Sequence, residues 1–300
     1  MNQMLFLMLG LAGLVGLGSL MSGNDDNHPP ERNDFDLGDR ELEEGTDGDD
    51  TMTGTSGDDA LTALDGNDLI DGGTGDDMIW GGFGNDTVIA NPGDDLVYLG
   101  GGADLYGAHN PGADEGSDTI VGGSGDDTII TNGGNHEIYG DGDPEDIDKG
   151  DDEYEGRDSI YDVGGTVYVD GRDGSDLIWS PDDSTADALD TLLGGDGDDT
   201  IYAGGLDLVD GGSGSDTVVL RSDAGGPADI TFSSSDRIEV ALPEGYEGEP
   251  DLQLTQDGDD VRVVVDGNEI AVLRDIRAGD VRAIRFLTQD ELHQPPWLAG

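Results

Sequence analysis

Cysteine is absent from this 300-residue chain, so it forms no disulfide and no thiolate metal site. Basic residues are scarce: 12 Lys and Arg stand against 70 Asp and Glu, a formal net charge of −58. Nucleic acid is thereby excluded as a direct partner, because phosphate binding needs clustered Lys and Arg. Anionic membrane surfaces are disfavoured for the same reason. Aromatic residues make up 5% and hydrophobic residues 34%, too little for a conventional large core. The four His residues are scattered at His28, His109, His136 and His293. The chain has no H-E-x-x-H, G-x-S-x-G or Walker A motif, and so offers no zinc-protease, serine-hydrolase or P-loop site. One uncharged hydrophobic run occurs, at residues 4–21. Chains this acidic and this poor in apolar residues ordinarily stay disordered, because burial cannot offset ordering entropy.

What is present argues for order. Seven Asp residues recur at an unbroken nine-residue period: Asp50, Asp59, Asp68, Asp77, Asp86, Asp95 and Asp104. A Gly stands two places before each, from Gly48 to Gly102. An apolar residue stands two places after: Met52, Leu61, Ile70, Ile79, Val88, Val97 and Tyr106. Acidic tails do not keep such a register. The nonad reads as a Gly-rich turn followed by a very short strand with one inward side chain. If two nonads close a coil of eighteen residues, Asp50, Asp68, Asp86 and Asp104 stack on one edge, and Asp59, Asp77 and Asp95 on the other. Stacked carboxylates repel unless cations lie between them. Calcium suits such a site, since it takes about 6–8 oxygens from carboxylates and backbone carbonyls.

The pattern G-G-x-G-x-D-x-U-x resembles the RTX, or haemolysin-type calcium-binding, repeats. It is complete at residues 72–80, 81–89, 122–130, 194–202 and 211–219. The resemblance implies an all-β, right-handed parallel β-roll solenoid with Ca2+ held between successive turns. Its ligands would be turn carbonyls and the carboxylates of Asp50, Asp59, Asp68, Asp77, Asp86, Asp95, Asp104, Asp118, Asp127, Asp158, Asp176, Asp190, Asp199, Asp207 and Asp216. It implies no catalytic role, and an extracellular or cell-surface destination. The family is commonly exported by type I machinery that reads a C-terminal signal.

The sequence departs from the pattern in places. Ala63, Ala90 and Leu99 replace a first Gly, and five extra residues separate Asp104 from Asp118. His136 and Val167 occupy Asp positions, and thirteen residues are inserted before the repeat of Asp158. These breaks predict a regular roll over 45–107, with roughly five calcium sites, and an irregular one over 108–220. The acidic segment 141–153 lacks EF-hand spacing and reads as a solvated loop. Trp80, Tyr98 and Trp179, at position nine, are expected to pack on the roll face.

Residues 1–21 are expected to be an N-terminal membrane anchor or a Sec-type signal, and 22–44 a flexible acidic linker. The roll spans 45–220. A small β-rich C-terminal cap with a possible secretion signal fills 221–300, where Val261–Val265 alternates as a strand before a turn at Asp266-Gly267-Asn268. The functional expectation is an exported bacterial protein whose folding depends on calcium. Two alternatives stand beside it: a rigid adhesin or spacer presenting loops 107–117 and 140–156 to a cell-surface ligand, and an enzyme with its site in the C-terminal region.

Overall fold

The computed structural model describes residues 37, 40–107, 116–142, 156–181, 189–223, 225–281, 284–288 and 291–292. The hydrophobic run at 1–21 and most of the linker at 22–44 lie outside the described residues, as do most of the loops at 107–117 and 140–156 and of the segment 141–153. Among the described residues, no helix is long and apolar enough to cross a membrane.

Among the described residues, short parallel strands alternate between two sheets, one of 13 strands and one of 11. The nonad dictates this arrangement. Each Gly-rich turn reverses the chain, and each strand of three or so residues then joins the sheet opposite its predecessor. Leu42–Glu44 pairs with Ala60–Thr62 in one sheet, and Thr51–Thr53 pairs with Leu69–Asp71 in the other. Only one residue per short strand must face inward, and the inward ones stack. Met52, Leu61, Ile70, Ile79, Val88, Val97 and Tyr106 are all buried, and they merge into one continuous core cluster. The stack continues through Ile120, Ile129, Ile138, Ile160, Val169, Ile178, Leu192 and Ile201.

The breaks in the sequence pattern do not break the coil. Val97 pairs with Ile120, Ile129 with Ile160, and Val169 with Leu192, all in parallel register. Every insertion falls between a strand and the following turn, so the pairing positions on either side are unaffected. The second half of the roll is therefore more regular than the sequence suggests. Parallel pairing also carries past Arg221, where the composition changes. Ala228–Thr231 pairs with Leu208–Ser213, and Arg237–Ala241 with Thr217–Arg221.

Antiparallel pairing begins only after these strands, among Leu252–Asp257, Asp260–Val265 and Asn268–Arg274. Val261, Val263 and Val265 are buried, as their alternation predicts. Asp266 (φ 53°) and Gly267 (φ 84°) form the two-residue turn between the last two of these strands, the double positive φ that a tight hairpin favours. On the outer faces, Trp80 stacks on Tyr98 with ring centroids 4.9 Å apart, and Trp179 meets Tyr202 at 4.4 Å.

Candidate metal-binding edges

Each turn ends on its position-six Asp, immediately before a strand, so these side chains line the two edges where the sheets meet. On the first edge the Asp residues form a hydrogen-bond ladder. The Asp50 N–H donates to Asp68 Oδ1 at 2.6 Å, Asp68 to Asp86 at 2.8 Å, and Asp86 to Asp104 at 2.7 Å. The same bond links Asp104 to Asp127, Asp127 to Asp158, Asp158 to Asp176 and Asp176 to Asp199, each at 2.8 Å. Asp199 then donates to Asp216 at 3.1 Å, and Asp216 to Asp236 at 3.4 Å. This edge has no break. Asp236, its last rung, was not anticipated from sequence because its turn carries Ser rather than Gly.

The second edge is different. Asp59 donates to Asp77, Asp77 to Asp95 and Asp95 to Asp118, at 2.7–3.0 Å. The Asp118 N–H then goes to His136 Nδ1 at 3.2 Å, so an imidazole nitrogen takes the place of a carboxylate oxygen. Val167 offers no acceptor, but its own N–H donates to Asp190 Oδ1 at 3.0 Å, and Asp190 donates to Asp207 at 3.3 Å.

The second carboxylate oxygen separates the edges more sharply. On the first edge, Oδ2 of Asp68, Asp86, Asp104, Asp127, Asp158, Asp176, Asp199 and Asp216 is buried and receives no hydrogen bond. On the second edge this holds for Asp77. At six other rungs the protein closes the oxygen itself. Thr46 and Thr55 donate from backbone and hydroxyl to Asp50 and Asp59 Oδ2 at 2.5–2.9 Å. The Tyr106 hydroxyl donates to Asp118 Oδ2 at 3.1 Å, Ser180 to Asp190 Oδ2 at 2.6 Å, and the Gly204 N–H to Asp207 Oδ2 at 2.7 Å. The Ser233 N–H closes Asp236 Oδ2 at 2.6 Å.

The unclosed oxygens do not stand alone. A Cβ built on Gly72 would lie 2.7 Å from Asp77 Oδ2 and 3.0 Å from the Ala90 carbonyl oxygen of the next coil. Gly171 stands likewise between Asp176 Oδ2 and the Gly194 carbonyl, both at 2.5 Å. Position-one Gly thus leaves room for a carboxylate oxygen and a carbonyl oxygen from adjacent coils to face one gap. Among the described residues no three His, Asp or Glu side chains converge, and each of these two gaps pairs one carboxylate oxygen with one carbonyl oxygen. Burial raises the carboxyl pKa along this edge. It reaches about 6 at Asp86, about 7 at Asp104, about 8 at Asp176 and about 6 at Asp199, while the N–H from the neighbouring coil works in the opposite direction. At Asp127, burial and then the Asp104 charge push it to about 9.

The family model of the RTX calcium-binding nonapeptide repeat matches residues 44–79, 71–106, 112–143 and 186–218. The matched coils are RTX repeats. RTX nonapeptide repeats bind calcium ions, and the all-oxygen donor set of the first edge is the kind calcium takes. No curated protein matches the chain. Among solved structures, the chain is similar to the extracellular lipase LipA from Serratia marcescens, at 15% identity and a TM-score of 0.24. That match covers 81% of this chain, which spans only 39% of the lipase.

The RTX turns carry a second ladder that the sequence reading passed over. Position five is Asp, Asn or Ser in most repeats, and there its side-chain oxygen can accept from the position-five N–H of the next coil. Asn67 donates to Asp49 at 3.0 Å, Asp76 to Asp58 at 3.1 Å and Asn85 to Asn67 at 2.9 Å. The run of small polar residues at that position was the available signal.

Proposed function

We propose that this chain is an exported calcium-binding β-roll whose folding and calcium binding are one event. The ions lie chiefly along the first edge, between Asp68 and Asp216, and on the second edge near Asp77. There the position-six carboxylates and position-one carbonyls supply the oxygens. The observation that carries the reading is the row of buried Oδ2 atoms with no donor. A buried carboxylate oxygen without a donor is destabilising, and eight such carboxylates stacked on one edge repel each other when ionised. Calcium between the coils removes both costs, so its binding free energy becomes folding free energy.

Low cytosolic calcium then leaves the chain unfolded before export, and calcium outside the cell folds it. On this reading the roll is a binding module, without catalysis of its own. Far-UV circular dichroism in chelator and in millimolar calcium tests the coupling: the β signal is expected only with calcium, and an identical signal in both would sink it. Immunoblots of culture supernatant against membrane fractions test export.

A further inference from the structure

Position two of the RTX turn is Gly at Gly73, Gly82, Gly100, Gly123, Gly195 and Gly212. Asp141 takes that place in its coil, paired across the sheet with Gly123. It is 2% exposed, and neither of its carboxylate oxygens has a hydrogen-bond partner. The nearby Arg172 does not neutralise it. Its guanidinium donates to the Asp141 backbone carbonyl at 2.8 Å and lies over the Tyr139 ring at 4.9 Å.

The surroundings of Asp141 are built of oxygen. A Cβ on Gly156 would sit 2.8 Å from Asp141 Oδ1 and 3.0 Å from Asp158 Oδ1, with the Gly125 carbonyl oxygen closer still. Asp158 is a rung of the first-edge ladder, and Asp127 and Asp176 are the rungs on either side. Two carboxylates and a carbonyl from different coils therefore line one space that Gly156 keeps open. The equivalent Gly of the next coil, Gly174, meets only the Gly156 carbonyl and one carboxylate oxygen, Asp176 Oδ1.

We infer that Asp141, Asp158 and the Gly125 carbonyl form an additional divalent-cation site, which calcium fills and which the repeat pattern does not encode. The extra negative charge makes it one of the tightest sites on the chain, since calcium affinity rises with the number of charged ligands. This inference rests on the calcium-binding reading above. The test is the number of calcium ions the full chain retains against a chromophoric chelator, in wild type, Asp141→Asn and Asp141→Gly. The glycine variant restores the repeat's own residue. Loss of one tightly held ion in either variant, with the β signal at saturating calcium unchanged, is the expected result. An unchanged ion count and affinity overturns the inference, and so does loss of the β signal in both variants at saturating calcium. Wild type that binds no calcium at all would instead defeat the underlying reading.

Discussion

Asp86 and Asp118 sit on opposite edges, both buried, and they differ in how the second oxygen is met, Asp118 Oδ2 also lying 3.2 Å from His136 Nδ1. Asp86 Oδ2 has no donor, whereas Asp118 Oδ2 receives the Tyr106 hydroxyl. Substituting each by Asn keeps an oxygen to accept the ladder N–H. Asp86→Asn is expected to remove a calcium ligand, and Asp118→Asn only to weaken a closed hydrogen-bonded contact. The two losses depend differently on free calcium. A lost ion lowers the slope of stability against log calcium by about 1.4 kcal/mol per tenfold change, because stability rises as RT ln(1 + [L]/Kd). At free calcium a hundredfold above the Kd of that site, the loss is about 2.7 kcal/mol. The weakened contact costs about 1–3 kcal/mol at every calcium concentration and leaves the slope alone. Denaturant unfolding at a series of buffered calcium concentrations separates slope from intercept. Equal slope changes in the two variants, or a change confined to Asp118→Asn, would refute the assignment of the ions to the first edge.

Three further outcomes are expected. Raising pH should make folding depend more on calcium, so that the calcium concentration needed for half-folding rises. The first-edge carboxyls have folded pKa values of about 6 to 9, above the unfolded value of 3.8, so the metal-free fold is favoured below that value and loses stability as pH rises through the folded ones. A calcium midpoint by circular dichroism that stays constant from pH 5.5 to 8.5 would contradict this. Ile160→Ala removes a fully buried side chain and should cost about 2–5 kcal/mol at saturating calcium; a loss under ~1 kcal/mol would mean that the coils can close the cavity. Gly84 has φ 127°, and a Cβ there would collide with the Gly66 carbonyl. Gly84→Ala should therefore cost well over ~1 kcal/mol, read from the same unfolding curves, and a neutral result would show that the turn can shift.

The nine-residue register made the roll legible, because each nonad holds its own turn, its own inward residue and its own carboxylate. Which carboxylates are closed was not legible. The closing donors depart from the repeat's own pattern: Tyr106 puts a hydroxyl at the inward apolar position and Ser180 stands where the next repeat's first Gly would, each a residue or two before an insertion. Composition suggested a boundary at Arg221, but pairing there depends on backbone register rather than on Gly or Asp, so Ala228–Thr231 joins the sheet without either signal. Asp141 read as part of an acidic loop. Only the pairing with Gly123 moves it into the interior.

The closed oxygens at Asp50, Asp59 and Asp236 bear on assembly. A solenoid offers a sheet edge at each end, and such edges template the addition of further copies. An open carboxylate at an end would strengthen that tendency, since half a calcium site could be completed by another molecule. Here hydroxyl and amide donors fill those terminal positions. The first strand, Leu42–Glu44, places two exposed Glu residues on its edge, and the last sheet turns antiparallel to finish on the largely exposed Leu252–Asp257. Among the described residues, both ends of the 13-stranded sheet thus carry features that work against edge-to-edge stacking in a medium rich in the ion that holds the coils together.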